Sequence, residues 1–223
     1  MKYKFTRFVI NLILRLVAHI DIFGLENIPS SGSSILATNH LGRLDPLLAY
    51  YILNRQDIIM FVAEKYRQIP VFRWFVKQLD AIFIERFNAD FHAMRVALNR
   101  LRQGGVLVIA PEGTRSPTGA LIEGRSGVSY LAAKTGVPIV PVALTGSEDK
   151  VVIAQLRRLR RVHIAVRVGK PFVLSPIDDQ DRDEVLQRYT EEIMCKIAAL
   201  LPPSYRGVYA DHTRLKELIE ANG

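Results

Sequence analysis

The sequence predicts an α/β fold, a single domain with a central, mostly parallel sheet flanked by helices and preceded by an N-terminal amphipathic helix. Three observations predict it. Short β-branched and aliphatic runs alternate along the chain with longer segments whose apolar positions recur every three or four residues. Three of the apolar runs end directly in polar residues, at Asn39-His40, Glu85-Arg86 and Glu112 to Ser116. Parallel sheets present binding residues in this way, at the carboxyl ends of their strands. Finally, 223 residues with 49% hydrophobic content suffice for one full core. No internal repeat, low-complexity segment or interdomain linker divides the chain.

The first element covers residues 1–20. Lys4, Arg7, Asn11, Arg15 and His19 recur at spacings of three or four, and Phe5, Phe8, Val9, Leu12, Ile13, Leu14, Leu16 and Val17 fill the remainder. This is a helix with a narrow basic stripe and a wide apolar face. A transmembrane helix needs about 20 apolar residues, and Arg15 interrupts this one early. No small-residue cleavage site marks a signal peptide. The segment therefore reads as a helix lying on a membrane surface, the alternative being a helix packed on the domain that residues 21–223 form.

After the turn residues Pro29 to Ser33, the run Ser34 to Thr38 reads as a buried strand delivering Asn39-His40. A helix follows over Pro46–Asn54, a strand over Ile58–Val62, a helix over Pro70–Leu79 and a strand over Ala81–Ile84. Residues 90–103 carry apolar positions at helical spacing and stop at Gly104-Gly105. Val106 to Ala110 is a strongly β-type run. A helix over Val128–Lys134 ends at Gly136, and Ile139 to Leu144 forms the next strand, where Pro141 predicts an irregular or edge position. Val162, Ile164, Val166 and Val168 alternate with His163, Ala165 and Arg167 as a half-exposed strand. A long amphipathic helix over Asp179–Leu201 closes the pattern.

The net charge of +8 suits an anionic membrane surface, a phosphorylated substrate or nucleic acid. Nucleic acid is disfavoured, because the basic residues are not interleaved with stacking aromatics. The densest basic cluster is Arg157, Arg158, Arg160 and Arg161. A single cysteine, Cys195, excludes an intramolecular disulfide, and its place on a predicted helix assigns it no chemistry. No metal is expected, since His40, His92, His163 and His212 show no ligand spacing.

The most informative stretch is Asn39-His40-Leu41-Gly42-Arg43-Leu44-Asp45-Pro46. A neutral imidazole accepts a proton near pH 7, and a carboxylate on its other nitrogen fixes the tautomer and favours the imidazolium that forms. His40 and Asp45 are the candidates for those roles, while Asp45 followed by Pro46 also fits a helix cap. In Glu112-Gly113-Thr114-Arg115-Ser116, the glycine permits close backbone approach, the hydroxyls donate, and the guanidinium suits a phosphate. Neither Gly-rich nucleotide loop motif is present.

These blocks resemble the glycerolipid acyltransferases typified by 1-acylglycerol-3-phosphate acyltransferase. The matches are N-H-x-x-x-x-D at Asn39, His40 and Asp45, Phe83-Ile84-Glu85-Arg86 for a usual F-I-D-R, Glu112 to Ser116 intact, and Val137-Pro138-Ile139-Val140-Pro141-Val142. Likeness continues at Leu201 to Gly207. The departures are Glu85 in place of Asp and less hydrophobic sequence before the first block than many relatives carry. The resemblance implies acyl transfer from acyl-CoA or acyl-carrier protein to a lysophospholipid hydroxyl, with no metal or other cofactor and no acyl-enzyme. His40 and Asp45 would be catalytic. Arg86, Arg115 and Lys65 would bind the acceptor phosphate, with Glu112, Gly113 and Thr114 completing the substrate site. It also implies peripheral attachment at the cytoplasmic face of the membrane. Alternatives are another acceptor within the same class, or a non-catalytic membrane lipid-binding protein.

Overall fold

In the computed structural model, which describes residues 2–85, 90–177 and 182–221, the strands form one seven-stranded sheet. In chain order they are β1 (Ala18–Phe23), β2 (Ser34–Thr38), β3 (Ile58–Ala63), β4 (Ile82–Ile84), β5 (Val106–Ile109), β6 (Ile139–Thr145) and β7 (Val162–Val168). Across the sheet they run β1-β7-β6-β2-β5-β3-β4. All neighbours pair in parallel except β6 and β7. The helices are α1 (Lys2–Val17), α2 (Asp45–Ile52), α3 (Pro70–Gln78), α4 (Phe91–Arg102), α5 (Gly127–Thr135), α6 (Asp149–Arg157), α7 (Arg182–Leu200) and α8 (Thr213–Glu220).

Strand alternation splits the core between the two faces of the sheet. Ile35, Ala37, Ile59, Leu107 and Ala143 pack with α4, α5, α7 and α8. Leu36, Met60, Val106, Val142 and Ile164 pack with Ile10 and Leu14 of α1 and Leu48 of α2. The β2–β5–β3 centre is buried on both faces, which is why its strands read as continuous apolar runs. Cys195 is fully buried in the first of these cores, and burial pushes its thiol up to about 12, which suits an inert packing residue.

The N-terminal helix is shorter than the expected 1–20: it ends at Val17, and Ala18–Phe23 becomes strand β1. The cause is an alternation of Ile20 and Ile22 with His19 and Asp21, which has a period of two rather than 3.6. A domain boundary at residue 20 would cut through this strand. The reading of α1 as a helix packed on the domain describes one of its faces. Thr6, Ile10 and Leu14 are buried, and Arg7 donates through Nη1 to the Leu53 carbonyl beyond α2 at 2.7 Å. The basic stripe is thus partly turned inward. Phe5, Phe8, Leu12 and Leu16 point outward, exposed by 61, 63, 46 and 62%. Among the described residues, no helix is long and apolar enough to cross a membrane.

Pro141 lies in an interior strand rather than at an edge, between β2 and β7. It is accommodated where the β6–β7 ladder runs out, one step beyond the Val142–Val168 pair. Its carbonyl accepts from the Gly169 amide at 2.9 Å. A side chain at Gly169 would come within 2.9 Å of the proline ring, so glycine makes the room. The ladder resumes at the Ile139–Phe172 bridge with one extra residue on the β7 side, so the position is irregular without being an edge.

Candidate active site

The carboxyl ends of β2, β3, β4 and β5 open onto a cavity of about 510 Å³, of the size that holds a small ligand. Met60, Phe61, Val62, Ile84, Val108 and Ile109 give it apolar walls, and His40, Asp45, Glu85, Gly113 and Arg125 supply polar groups. His40 follows β2 directly because Asn39 fastens the end of that strand. The buried Asn39 side chain donates through Nδ2 to the Leu144 carbonyl at 2.9 Å and accepts at Oδ1 from the Leu144 amide at 2.7 Å. It therefore bridges β2 to β6 beyond the regular ladder.

Asp45 is 7% exposed and meets four donors. Its Oδ2 accepts from His40 Nδ1 at 2.7 Å, from the Leu41 amide at 2.7 Å and from the Gly42 amide at 2.9 Å. Its Oδ1 accepts from Ser147 Oγ at 2.6 Å. Both oxygens of the carboxylate, which can only accept, are thereby engaged. The imidazole proton then resides on Nδ1, and Nε2 is left as an acceptor in the cavity wall. The expected helix cap is corrected in one respect: Leu44 occupies the cap position without a side-chain bond, and Asp45 is the first residue of α2. Its carboxylate points back into the histidine loop. Gly42 allows this packing, since a Cβ there would fall 2.0 Å from the Ser147 carbonyl oxygen.

Glu112, 2% exposed, supports the same loop from below. Its Oε1 accepts from the His40 amide at 2.9 Å and its Oε2 from the Ile122 amide at 3.3 Å. Burial pushes this carboxyl up to about 7, with the nearby Asp45 charge adding to the rise and the two amides opposing it. Gly113, at φ 68, lies under the Arg125 side chain, and a Cβ there would meet Arg125 Cδ at 3.1 Å. The Ser116 amide donates to the His40 carbonyl at 2.9 Å, closing the loop pair.

The predicted residues divide into groups. His40, Asp45 and Gly113 line the cavity, and Glu112 is buried behind it. Thr114 is half-buried in the adjoining loop. Arg115 forms an ion pair with Asp149 at the start of α6, and Asp149 also accepts from the Arg43 amide at 2.9 Å. Lys65 lies in the short turn after β3, exposed, with Nζ 5.3 Å from the Tyr66 ring centre. Neither Arg115 nor Lys65 lines the cavity. Arg86 lies outside the described residues.

Three contributors were missed in the sequence. Ser147 and Asp149 follow β6 directly, the placement that singled out the other motifs, and they escaped because no block extends past Val142. Arg125 stands in Gly124-Arg125-Ser126-Gly127, a cation in a glycine-bounded turn before a helix. The C-terminal stretch near Tyr205 buttresses that turn. Leu121 donates its amide to the Tyr205 carbonyl at 2.9 Å, and the Gly124 amide donates to the Tyr209 hydroxyl at 3.0 Å.

Chemically, a strand-end histidine locked by a buried carboxylate beside an apolar-walled cavity can accept a proton from a group bound there. The chain belongs to the acyltransferase family, whose model matches residues 19–145, more than half of it. It is 29% identical over 174 residues to the chloroplastic 1-acyl-sn-glycerol-3-phosphate acyltransferase BAT2 of Brassica napus, covering 75% of this chain and 50% of that one. It is 24% identical over 202 residues to the 1-acyl-sn-glycerol-3-phosphate acyltransferase of Bacillus subtilis (strain 168), covering 89% and 96%. The chain thus spans about half the length of its Brassica and Arabidopsis relatives. The fold is similar to that of the 1-acyl-sn-glycerophosphate (LPA) acyltransferase PlsC from Thermotoga maritima. That likeness has a TM-score of 0.63 at 24% identity, over 86% of this chain and 78% of that one.

Proposed function

We propose that this protein transfers a fatty acyl group from a thioester donor, acyl-CoA or acyl-carrier protein, to the free hydroxyl of a lysophospholipid. The foremost acceptor is 1-acylglycerol 3-phosphate, and the product is then phosphatidate. The observation that carries the reading is the 2.7 Å contact of His40 Nδ1 with Asp45, which presents Nε2 to an apolar cavity. Nε2 takes the proton of the acceptor hydroxyl as its oxygen attacks the thioester carbonyl. The tetrahedral oxyanion then collapses, the carbon–sulfur bond breaks, and the imidazolium returns the proton to the departing thiolate. Such general-base assistance contributes about 10²- to 10⁴-fold in rate, with positioning supplying much of the remainder.

The walls formed by Met60, Phe61, Val62 and Ile109 suit an acyl chain. Arg125 at the cavity wall, with Arg115 and Lys65 from adjoining loops and, by the family resemblance, Arg86, is assigned the acceptor phosphate. The outward row Phe5, Phe8, Leu12 and Leu16, flanked by the exposed Lys4 and Arg15, suits a helix lying in one leaflet of an anionic membrane. In this reading the enzyme attaches peripherally, at the cytoplasmic face. A panel of lysophospholipids offered with one acyl-CoA and followed by lipid mass spectrometry tests the assignment. Acylation of 1-acylglycerol 3-phosphate is expected, acylation of a different lysophospholipid redirects the acceptor, and vesicle binding without any acylation supports a lipid-binding protein instead.

A further inference from the structure

The open end of the sheet carries a second constellation, remote in sequence from the motifs above. Edge strand β1 pairs in parallel with β7, so that His19 stands opposite His163 and Asp21 opposite the small Ala165. Alternate residues of β7 are buried on the α1–α2 side of the sheet, and His163 and Arg167 emerge on the other side. There α7 covers β6 and β2, and the β7–β1 end remains open to solvent. The side chains of His19, Asp21 and His163 are 59, 44 and 75% exposed.

The three converge. His19 Nε2 lies 3.4 Å from Asp21 Oδ1, and His163 Nδ1 lies 3.7 Å from Asp21 Oδ2. The imidazole centres are 4.6 Å apart, and one ligand atom from each residue falls within 4.8 Å of the others. These nitrogen–oxygen separations exceed the usual ~2.7–3.2 Å of a direct hydrogen bond. Two ligands of a tetrahedral ion bound at about 2.0–2.1 Å stand ~3.3 Å apart. The two histidines approach different oxygens of Asp21, so on binding an ion the exposed carboxylate turns to offer one oxygen between the two imidazoles.

We propose that His19, Asp21 and His163 form a binding site for a divalent transition-metal ion of the zinc type. Two imidazole nitrogens and one carboxylate oxygen suit zinc and its neighbours, whereas calcium and magnesium take shells of oxygen. Solvent fills the fourth position. The site does not serve the acyl-transfer chemistry, since none of its three residues lines the cavity. Its effect is mechanical. Two ligands come from β1, which follows α1 without a linker, and the third comes from β7. A bound ion therefore fastens the strand that carries the exposed apolar helix to the body of the sheet.

The test uses the full chain, stripped of metal with a chelator and titrated with Zn²⁺ by calorimetry, with Mg²⁺ and Ca²⁺ as controls. One equivalent of Zn²⁺ is expected to bind and Mg²⁺ and Ca²⁺ are not. Tm should rise by about 5 °C or more at a hundredfold excess over Kd, and amide exchange in β1 should slow. His19→Ala and His163→Ala should each weaken binding by about tenfold or more while leaving the metal-free Tm unchanged, because both side chains are solvent-exposed. His40→Ala should bind as wild type does, which separates this site from the cavity histidine. Absence of saturable Zn²⁺ binding up to about 1 mM, or binding that survives both surface variants, would overturn the assignment.

Discussion

Ser147 donates its hydroxyl to Oδ1 of Asp45 at 2.6 Å, joining the turn after β6 to the start of α2 across 102 residues of chain. The bond fixes the rotation of the carboxylate and so directs Oδ2 at His40 Nδ1. Ser147→Ala removes one bond to a buried charge, at a cost of about 1.5–3 kcal/mol in stability. Because Ser147 acts through Asp45, it is a positioning residue. Its loss should lower kcat by about tenfold with KM little changed, and Ser147→Thr should restore most of the rate. Steady-state kinetics of the two variants, beside their thermal melts, check this.

Asn39 makes a second prediction. Asn39→Leu is nearly the same size but leaves the Leu144 amide and carbonyl, both at the buried end of β6, without their partner. The cost should be about 1–3 kcal/mol for each orphaned group, and His40 should lose its fixed approach to the cavity. Chemical denaturation should therefore show a lowered midpoint with an unchanged slope.

Much of the site was legible in the sequence because its residues stand directly after strands whose apolar runs are hard to mistake. Local order put His40, Asp45 and Glu112 after strands, and their candidate roles rested on the family resemblance as well. What escaped depends on contacts between distant segments: Ser147 reaching Asp45, Asp149 holding Arg115, and His163 meeting His19 and Asp21. The last could not be found by ligand spacing while His19 was read as part of a helix, for only strand pairing brings the three together. The short α6 escaped for another reason. Its outer residues Val151, Ile153 and Leu156 are apolar and exposed, which blurs the helical pattern.

Glu112 makes stability depend on pH. Its carboxyl rises from 4.5 to about 7 on folding, so the native state binds more protons than the unfolded chain between those values. Stability contributed by this group is therefore present below about pH 4.5 and lost as pH rises through about 7, by about 3 kcal/mol in all. Glu112→Gln keeps an acceptor for the His40 amide and does not ionise. Its Tm should fall less than that of wild type between pH 5 and 8, as measured by calorimetry in matched buffers.

Arg125 should act on acceptor binding. Arg125→Ala removes a cation from the cavity wall beside Gly113. It is expected to raise KM for a phosphate-bearing acceptor by about tenfold or more, with a smaller change in kcat. An acceptor without the phosphate should show no such change.

The outward row of α1 should determine membrane attachment. Changing Phe5, Phe8, Leu12 and Leu16 together to serine leaves the buried Ile10 and Leu14 intact, so the domain should remain folded. The variant should no longer sediment with anionic vesicles, while wild type does. Equal sedimentation of the two proteins would place attachment elsewhere.

The central claim is that His40, oriented by Asp45, activates the acceptor hydroxyl for direct acyl transfer. The measurement that tests it most directly is product formation by wild type, His40→Ala and Asp45→Asn, with acyl-CoA and 1-acylglycerol 3-phosphate, following acylated acceptor and free fatty acid by mass spectrometry. Wild type should make phosphatidate with little free fatty acid. His40→Ala should lose about 10²- to 10⁴-fold or more while retaining its fold, and Asp45→Asn should lose activity as well, because the amide turns a donor toward groups that donate. Undiminished acylation by His40→Ala, or release of fatty acid by wild type without an acylated product, would contradict the account.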